Sequence, residues 1–180
     1  MQRIYKAKDE IGSWLQSNIM IACDPCYKRE YEPTLFNRFE VVSGVWDAYC
    51  YYLGGRVAKL EAKLHGSTST EYKTLAEDAG VDSGQFGFFD DSIFPNNEFR
   101  DFDDKNSFYG ICCDLTLGKK QAGIVMGKGV VSSSGFGDGS YRVTIGKNIL
   151  GKTNSVNVEF ISEEDFWGED IWGKLLIGEH

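Results

Sequence analysis

Short apolar or alternating runs, each closed by Gly, Asn, Asp or Ser, recur from one end of this chain to the other, whereas apolar residues at helical spacing are scarce. Alternation every second residue suits a pleated strand with one buried face, and the turn residues between runs suit short antiparallel connections. At 180 residues, 42% of them hydrophobic and including 12 Phe, 9 Tyr and 4 Trp, the chain has enough large side chains for one core. It is therefore predicted to be mainly β: an antiparallel β-sandwich or barrel-like single domain with few short helices.

Ser17 to Cys23 reads as the first core strand, stopped by Asp24-Pro25, where proline ends ladder donation. Gly44 to Tyr52 and Arg56 to Leu64 flank Leu53-Gly54-Gly55 and read as a hairpin. Val57, Leu60 and Leu64 also fall at i, i+3 and i+7, so a helix over that second arm is the competing reading. Phe108 to Leu117, Gly123 to Ser132, Tyr141 to Ile145 and Ser155 to Ile161 are four further predicted strands. Phe94 to Asn106, with Pro95 and several acids among three Phe, reads as an irregular surface excursion. The β-rich domain is placed at 1–161 and an apolar, aromatic tail at 162–180, where Ser162-Glu-Glu-Asp165 marks a short helix start. Gly168 and Gly173 each weaken such a helix by about 1 kcal/mol, so it needs docking onto the core or a second copy. Docking within the chain is the first reading, and a homo-oligomer with Trp167 and Trp172 as its contact is the alternative.

A formal charge of −8 repels phosphate polymers and anionic membranes, which disfavours nucleic acid and membrane as partners. A small anionic ligand in a locally basic or amide-lined pocket stays open. No apolar stretch reaches the ~20 residues of a span, the first ten residues do not read as a signal peptide, and five cysteines is an odd number. A cytoplasmic protein with reduced thiols is expected.

Cys23 and Cys26 have zinc-knuckle spacing, with Cys112-Cys113 as the second pair, but adjacent cysteines on a strand face opposite ways, so these read as small thiols and not as metal ligands. The histidines are His65 and His180, and no G-x-S-x-G elbow is present; His65 reads as closing its strand. Asp24, Asp82, Asp90, Asp91, Asp114 and Asp138 lie near turns, where aspartate braces backbone N–H groups, although convergence on a divalent cation is the alternative. No phosphate-loop or dinucleotide fingerprint occurs, so no cofactor is expected.

The most distinctive segment is Gly129-Val-Val-Ser-Ser-Ser-Gly-Phe-Gly-Asp-Gly-Ser-Tyr141. It is either a tight strand connection or an anion cradle in which Ser132, Ser133, Ser134 and the backbone of 135–139 are donors. In the second reading Arg56 or Arg142 supplies charge, Trp46, Phe136 or Tyr141 a stacking face, and Asp138 braces the loop. Gln85, in Val81-Asp-Ser-Gly-Gln-Phe-Gly-Phe-Phe-Asp-Asp91, would read a base edge, with Phe86, Phe88 and Phe89 either stacking or packing in the core.

Asp24-Pro-Cys-Tyr27, Gly44-Val-Trp46, Val81-Asp-Ser-Gly-Gln85, Cys112-Cys113 and Val130 to Tyr141, followed by Val156 to Ile161, together resemble an uncharacterised, often phage-encoded family, a domain of unknown function. The resemblance covers about 18–161, with Ser134-Gly-Phe-Gly-Asp-Gly-Ser-Tyr141 as its most specific part, and implies a setting and no reaction. The favoured expectation is a phage-type protein that binds a small phosphorylated or nucleotide-like molecule, sequestering a host immune signal. The alternatives are a metal-assisted hydrolase using Asp24, Asp82 and Asp138, and a host-protein-binding module acting through Trp167 and Trp172.

Overall fold

The computed structural model describes residues 7–29, 37–94, 104–162 and 164. Eleven strands and one helix follow in order: β1 (Ala7–Gln16), β2 (Ile19–Cys23), β3 (Asn37–Glu40), β4 (Gly44–Leu53), β5 (Arg56–Leu64), β6 (Glu71–Val81), β7 (Gln85–Asp90), α1 (Phe108–Thr116), β8 (Ala122–Ile124), β9 (Gly129–Ser133), β10 (Gly139–Lys147) and β11 (Thr153–Glu159). They form two antiparallel sheets: six strands in the order β1-β4-β5-β11-β10-β6, and five in the order β3-β2-β7-β9-β8. The sheets pack face to face without closing into a barrel, so the fold is a β-sandwich.

Alternation explains the packing. On β4, Trp46, Ala48 and Cys50 are buried, and on β5 so are Leu60 and Ala62. They meet Met20 and Ala22 of β2, Phe86 and Phe88 of β7, and Val130 of β9 in the main core. Phe86, Phe88 and Phe89 are fully buried, each contributing roughly 2–3 kcal/mol of apolar burial. Their core role is therefore observed, and they present no stacking face. Phe89 points the other way from Phe88, into a smaller core shared with Ile21, Val131, Phe108 and Cys112.

The β4–β5 hairpin forms where the glycine pair predicts it; Gly54 (φ 56°) and Gly55 (φ 76°) take the left-handed values a two-residue turn requires. The helical reading of the second arm is excluded by its pairing on both sides, with β4 and with β11.

Two predicted strands are corrected. Phe108 to Leu117 is helix, because Ser107 in an extended conformation accepts the Gly110 N–H as an N-cap. Phe108, Ile111, Cys112 and Leu115 then fall at i, i+3, i+4 and i+7 and cover the outer face of the five-stranded sheet. Cys112 and Cys113 are consequently about 100° apart on a helix and not on opposite faces of a strand. Gly123 to Ser132 divides into β8 and β9, because Val125 and Gly129 close a tight turn through Met126 and Gly127, both at positive φ. Strands β1, β3, β6 and β7 complete the sheets. Most of the excursion after Phe94, and the tail carrying Trp167 and Trp172, lie outside the described residues. No helix among the described residues is long and apolar enough to cross a membrane.

Candidate functional site

The Gly/Ser segment is built first by its own hydrogen bonds. The Ser134 N–H donates to Gly84 O at 3.0 Å and its hydroxyl to Gly137 O at 2.9 Å. Gly137 N–H returns to Ser134 O, and the Tyr141 hydroxyl donates to Gly137 O at 2.6 Å. Ser132 and Ser134 are buried, and the Ser132 hydroxyl donates to Ser133 O at 3.0 Å. Ser133 spends its N–H on Gln121 O and its hydroxyl weakly on Thr116 O at 3.4 Å. Donors that the sequence offers to an anion are thus turned inward, and the segment is pinned as the connection from β9 to β10. Gly135 is needed there: at φ 64° a Cβ would meet Ile161 at 2.8 Å.

The remaining sequence candidates separate. Arg56 lies over the ring of Phe136, 5.0 Å from its centroid, and donates to Gly135 O at 3.4 Å; Phe136 is 47% exposed. These two do come together, on the outside of the loop. Trp46 is fully buried and donates its indole N–H to Val42 O. It pairs with Leu64, whereas Arg56 pairs with Leu53 at the far end of the hairpin, about 23 Å away along the strand. Gln85 is buried beneath α1 and donates to the Cys113 sulfur at 3.3 Å, so no base edge reaches it at the surface. Arg142 lies on the opposite side of β10 from the core and pairs with Glu77 at 3.1 Å.

Around Arg142 the structure makes a concavity that sequence reading missed. The outward positions of the six-stranded sheet form rows across paired strands: Lys8, Tyr51, Lys59, Glu159 and Arg142 in one, and Glu10, Tyr49, Glu61, Asn157 and Thr144 in the next. Register shifts on either side of Val143 bend β6 relative to β10, and bulges of this kind curl a sheet edge. The result is a trough of about 690 Å³ over β5, β11, β10 and β6. Lys59, Glu61, Tyr72, Glu77, Ser140, Tyr141, Arg142, Thr144, Asn157 and Glu159 line it, with Phe160 and Ser162 at one end. Its cations are already paired: Lys59 with Glu61 at 3.4 Å and Arg142 with Glu77. Among described residues, the Ser140, Thr144, Asn157 and Tyr72 side chains have no hydrogen-bonding partner. The sequence signal was the polar alternation of Lys59, Glu61, Lys63 and of Ser155, Asn157, Glu159; adjacency of these two strands was hidden by the 90 or so residues between them.

Asp47 accepts from Ser13 at 2.6 Å and contacts His65 Nδ1 at 2.7 Å, so hydroxyl and imidazole meet one carboxylate and not each other. Burial opposes ionisation of Asp47, but Ser13, His65 and Lys63 outweigh it and hold the carboxyl below its usual range. Asp24 is fully buried and accepts the N–H groups of Cys26, Asp82 and Ser83 and the Ser83 hydroxyl, all within 2.8 Å. Asp82 accepts from Tyr27, and Asp138, beside the Gly139 that pairs with Val81, is exposed on the neighbouring loop. Asp24 therefore acts as a brace with its lone pairs occupied, and no grouping of three His, Cys, Asp or Glu suited to a metal occurs among the described residues. All five cysteines are free thiols; Cys23, Cys26, Cys50 and Cys112 are buried and Cys113 is partly exposed. No family model, curated protein or solved structure matches the chain.

Proposed function

We propose that this protein is a non-enzymatic binding protein that captures a small, polar, nucleotide-like molecule in the trough over β5, β11, β10 and β6. The observation that carries this reading is the concavity of about 690 Å³, large enough for a nucleotide-sized ligand and floored by hydroxyl and amide groups with no bond of their own. Thr144 and Asn157 meet hydroxyls or ring edges of the ligand, Tyr72 supplies a ring face, and Arg142 takes an anionic group in exchange for Glu77. Binding without turnover is favoured because the described carboxylates, imidazole and hydroxyls are arranged as braces, and the hydroxyl and imidazole at Asp47 do not meet each other. In the phage setting that the sequence resemblance implies, the captured molecule is a host immune signal.

The test is release and titration. Protein incubated with a nucleotide-rich cell extract, washed and denatured, releases an intact small molecule; Asn157→Ala and Arg142→Ala each weaken its rebinding about tenfold with unchanged melting temperature. A chemically altered product would replace capture by catalysis. Loss of binding on Phe136→Ala with none on Asn157→Ala would move the site back to the Gly/Ser loop.

A further inference from the structure

Gln85 carries a bond that the fold leaves unmade. The residue is 5% exposed, its Oε1 has no partner among the described residues, and its Nε2 donates to Cys113 Sγ at 3.3 Å. A buried acceptor without a donor costs about 1–3 kcal/mol, so such a group needs an explanation. The surroundings supply one. Cys113 is the partly exposed residue among the five cysteines, about 100° around α1 from the buried Cys112. Tyr109, one helical turn earlier, lies near enough to feel this sulfur: burial and then Cys113 push its phenol up to about 12. The sulfur is thus approached by an amide N–H, with an idle carbonyl oxygen on the same amide. A neutral thiol is a weak acceptor and gives the amide little, whereas a sulfur bearing a hydroxyl offers both an acceptor for the N–H and a donor for the idle oxygen.

We propose that Cys113 is a site of reversible oxidation by hydroperoxides, and that the O–H of the resulting sulfenic acid is the donor that Gln85 Oε1 lacks. In the step, the sulfur attacks one peroxide oxygen, the O–O bond breaks and an S–O bond forms. Sulfur is oxidised by two electrons and the peroxide is reduced to water or an alcohol. The thiol proton balances the departing hydroxide or alkoxide, with the Tyr109 hydroxyl as the nearby proton donor. Cys23, Cys26, Cys50 and Cys112 are buried, so the sulfenic acid persists instead of condensing to a disulfide.

The experiment treats the folded full chain with hydrogen peroxide in the presence of dimedone, which traps sulfenic acids, and locates the adduct by peptide mass spectrometry. The adduct is expected on Cys113 at about ten times the yield on any other cysteine, in keeping with its exposure. Cys113→Ser abolishes it. Tyr109→Phe keeps the ring in place and slows labelling several-fold. Gln85→Leu, if folded, gives the same slowing and a sulfenic acid that over-oxidises sooner; if it does not fold, Tyr109→Phe decides. Labelling spread evenly over the cysteines, absent from Cys113, or unchanged by Tyr109→Phe would overturn the proposal.

Discussion

Asp24 and Asp90 show how single carboxylates hold the turns of this sandwich. Asp24 follows β2 and reaches 58 residues along the chain to the backbone of Asp82 and Ser83, which precede β7. Asp90 closes β7 and accepts the Ser17 N–H at 2.6 Å and both the N–H and hydroxyl of Ser92. Burial works against the charge on Asp90, but these donors prevail and hold its carboxyl below the usual value. A depressed folded value means that its contribution to stability is present above the unfolded value of about 3.9 and is lost as pH falls through the folded one. Asp90→Asn is therefore expected to lower stability by about 1–3 kcal/mol near neutral pH, with the gap to wild type shrinking as pH falls from about 5 to 2. Urea midpoints across that range measure it; a gap that stays constant would show that the ionised form is not what the donors hold. Sequence reading placed both aspartates at turns for the right local reason. It could not see Asp24's long-range partners, because nothing in spacing brings positions 24 and 82 together.

At the scale of elements, legibility followed turn chemistry more closely than residue type. The hairpin at Gly54-Gly55 was readable because two adjacent left-handed residues have few other uses. Helix α1 was misread because Phe, Tyr, Ile and Cys are common in strands, although their positions already carried the i, i+3, i+4, i+7 spacing of a buried helical face. The missed signal was Ser107, whose hydroxyl sits 2.9 Å from the Gly110 N–H. Ser107→Ala should cost about 1 kcal/mol, with faster amide exchange in the first turn of α1 and little change in the strands. Hydrogen exchange read by mass spectrometry distinguishes that local fraying from global loss. The Gly/Ser loop carried two readings for a related reason: glycines and hydroxyls that open a backbone to a ligand are the same ones that let it bond to itself.

For the molecule as a whole, the two-sheet architecture was legible and the strand order was not. β1 pairs with β4 and β6 with β10, and such pairings are decided by which buried faces fit, after the strands exist. The trough depends on that order, which is why residues 59, 77, 142 and 157 were never assembled from sequence. Its Arg142–Glu77 pair has a consequence for any anion that enters. Glu77 is in effect a competitor on a tether, present at a local concentration of roughly millimolar or more, and every ligand must outbid it. The two side chains are about two-thirds exposed, so their mutual attraction is worth no more than about 1 kcal/mol. Glu77→Gln should then tighten anion binding by up to about fivefold, a gain of affinity from removing a residue of the site, measurable by calorimetry at constant ionic strength. Wild-type binding should also vary little with salt, since the ligand's anionic group merely takes the Glu77 carboxylate's place on the same guanidinium.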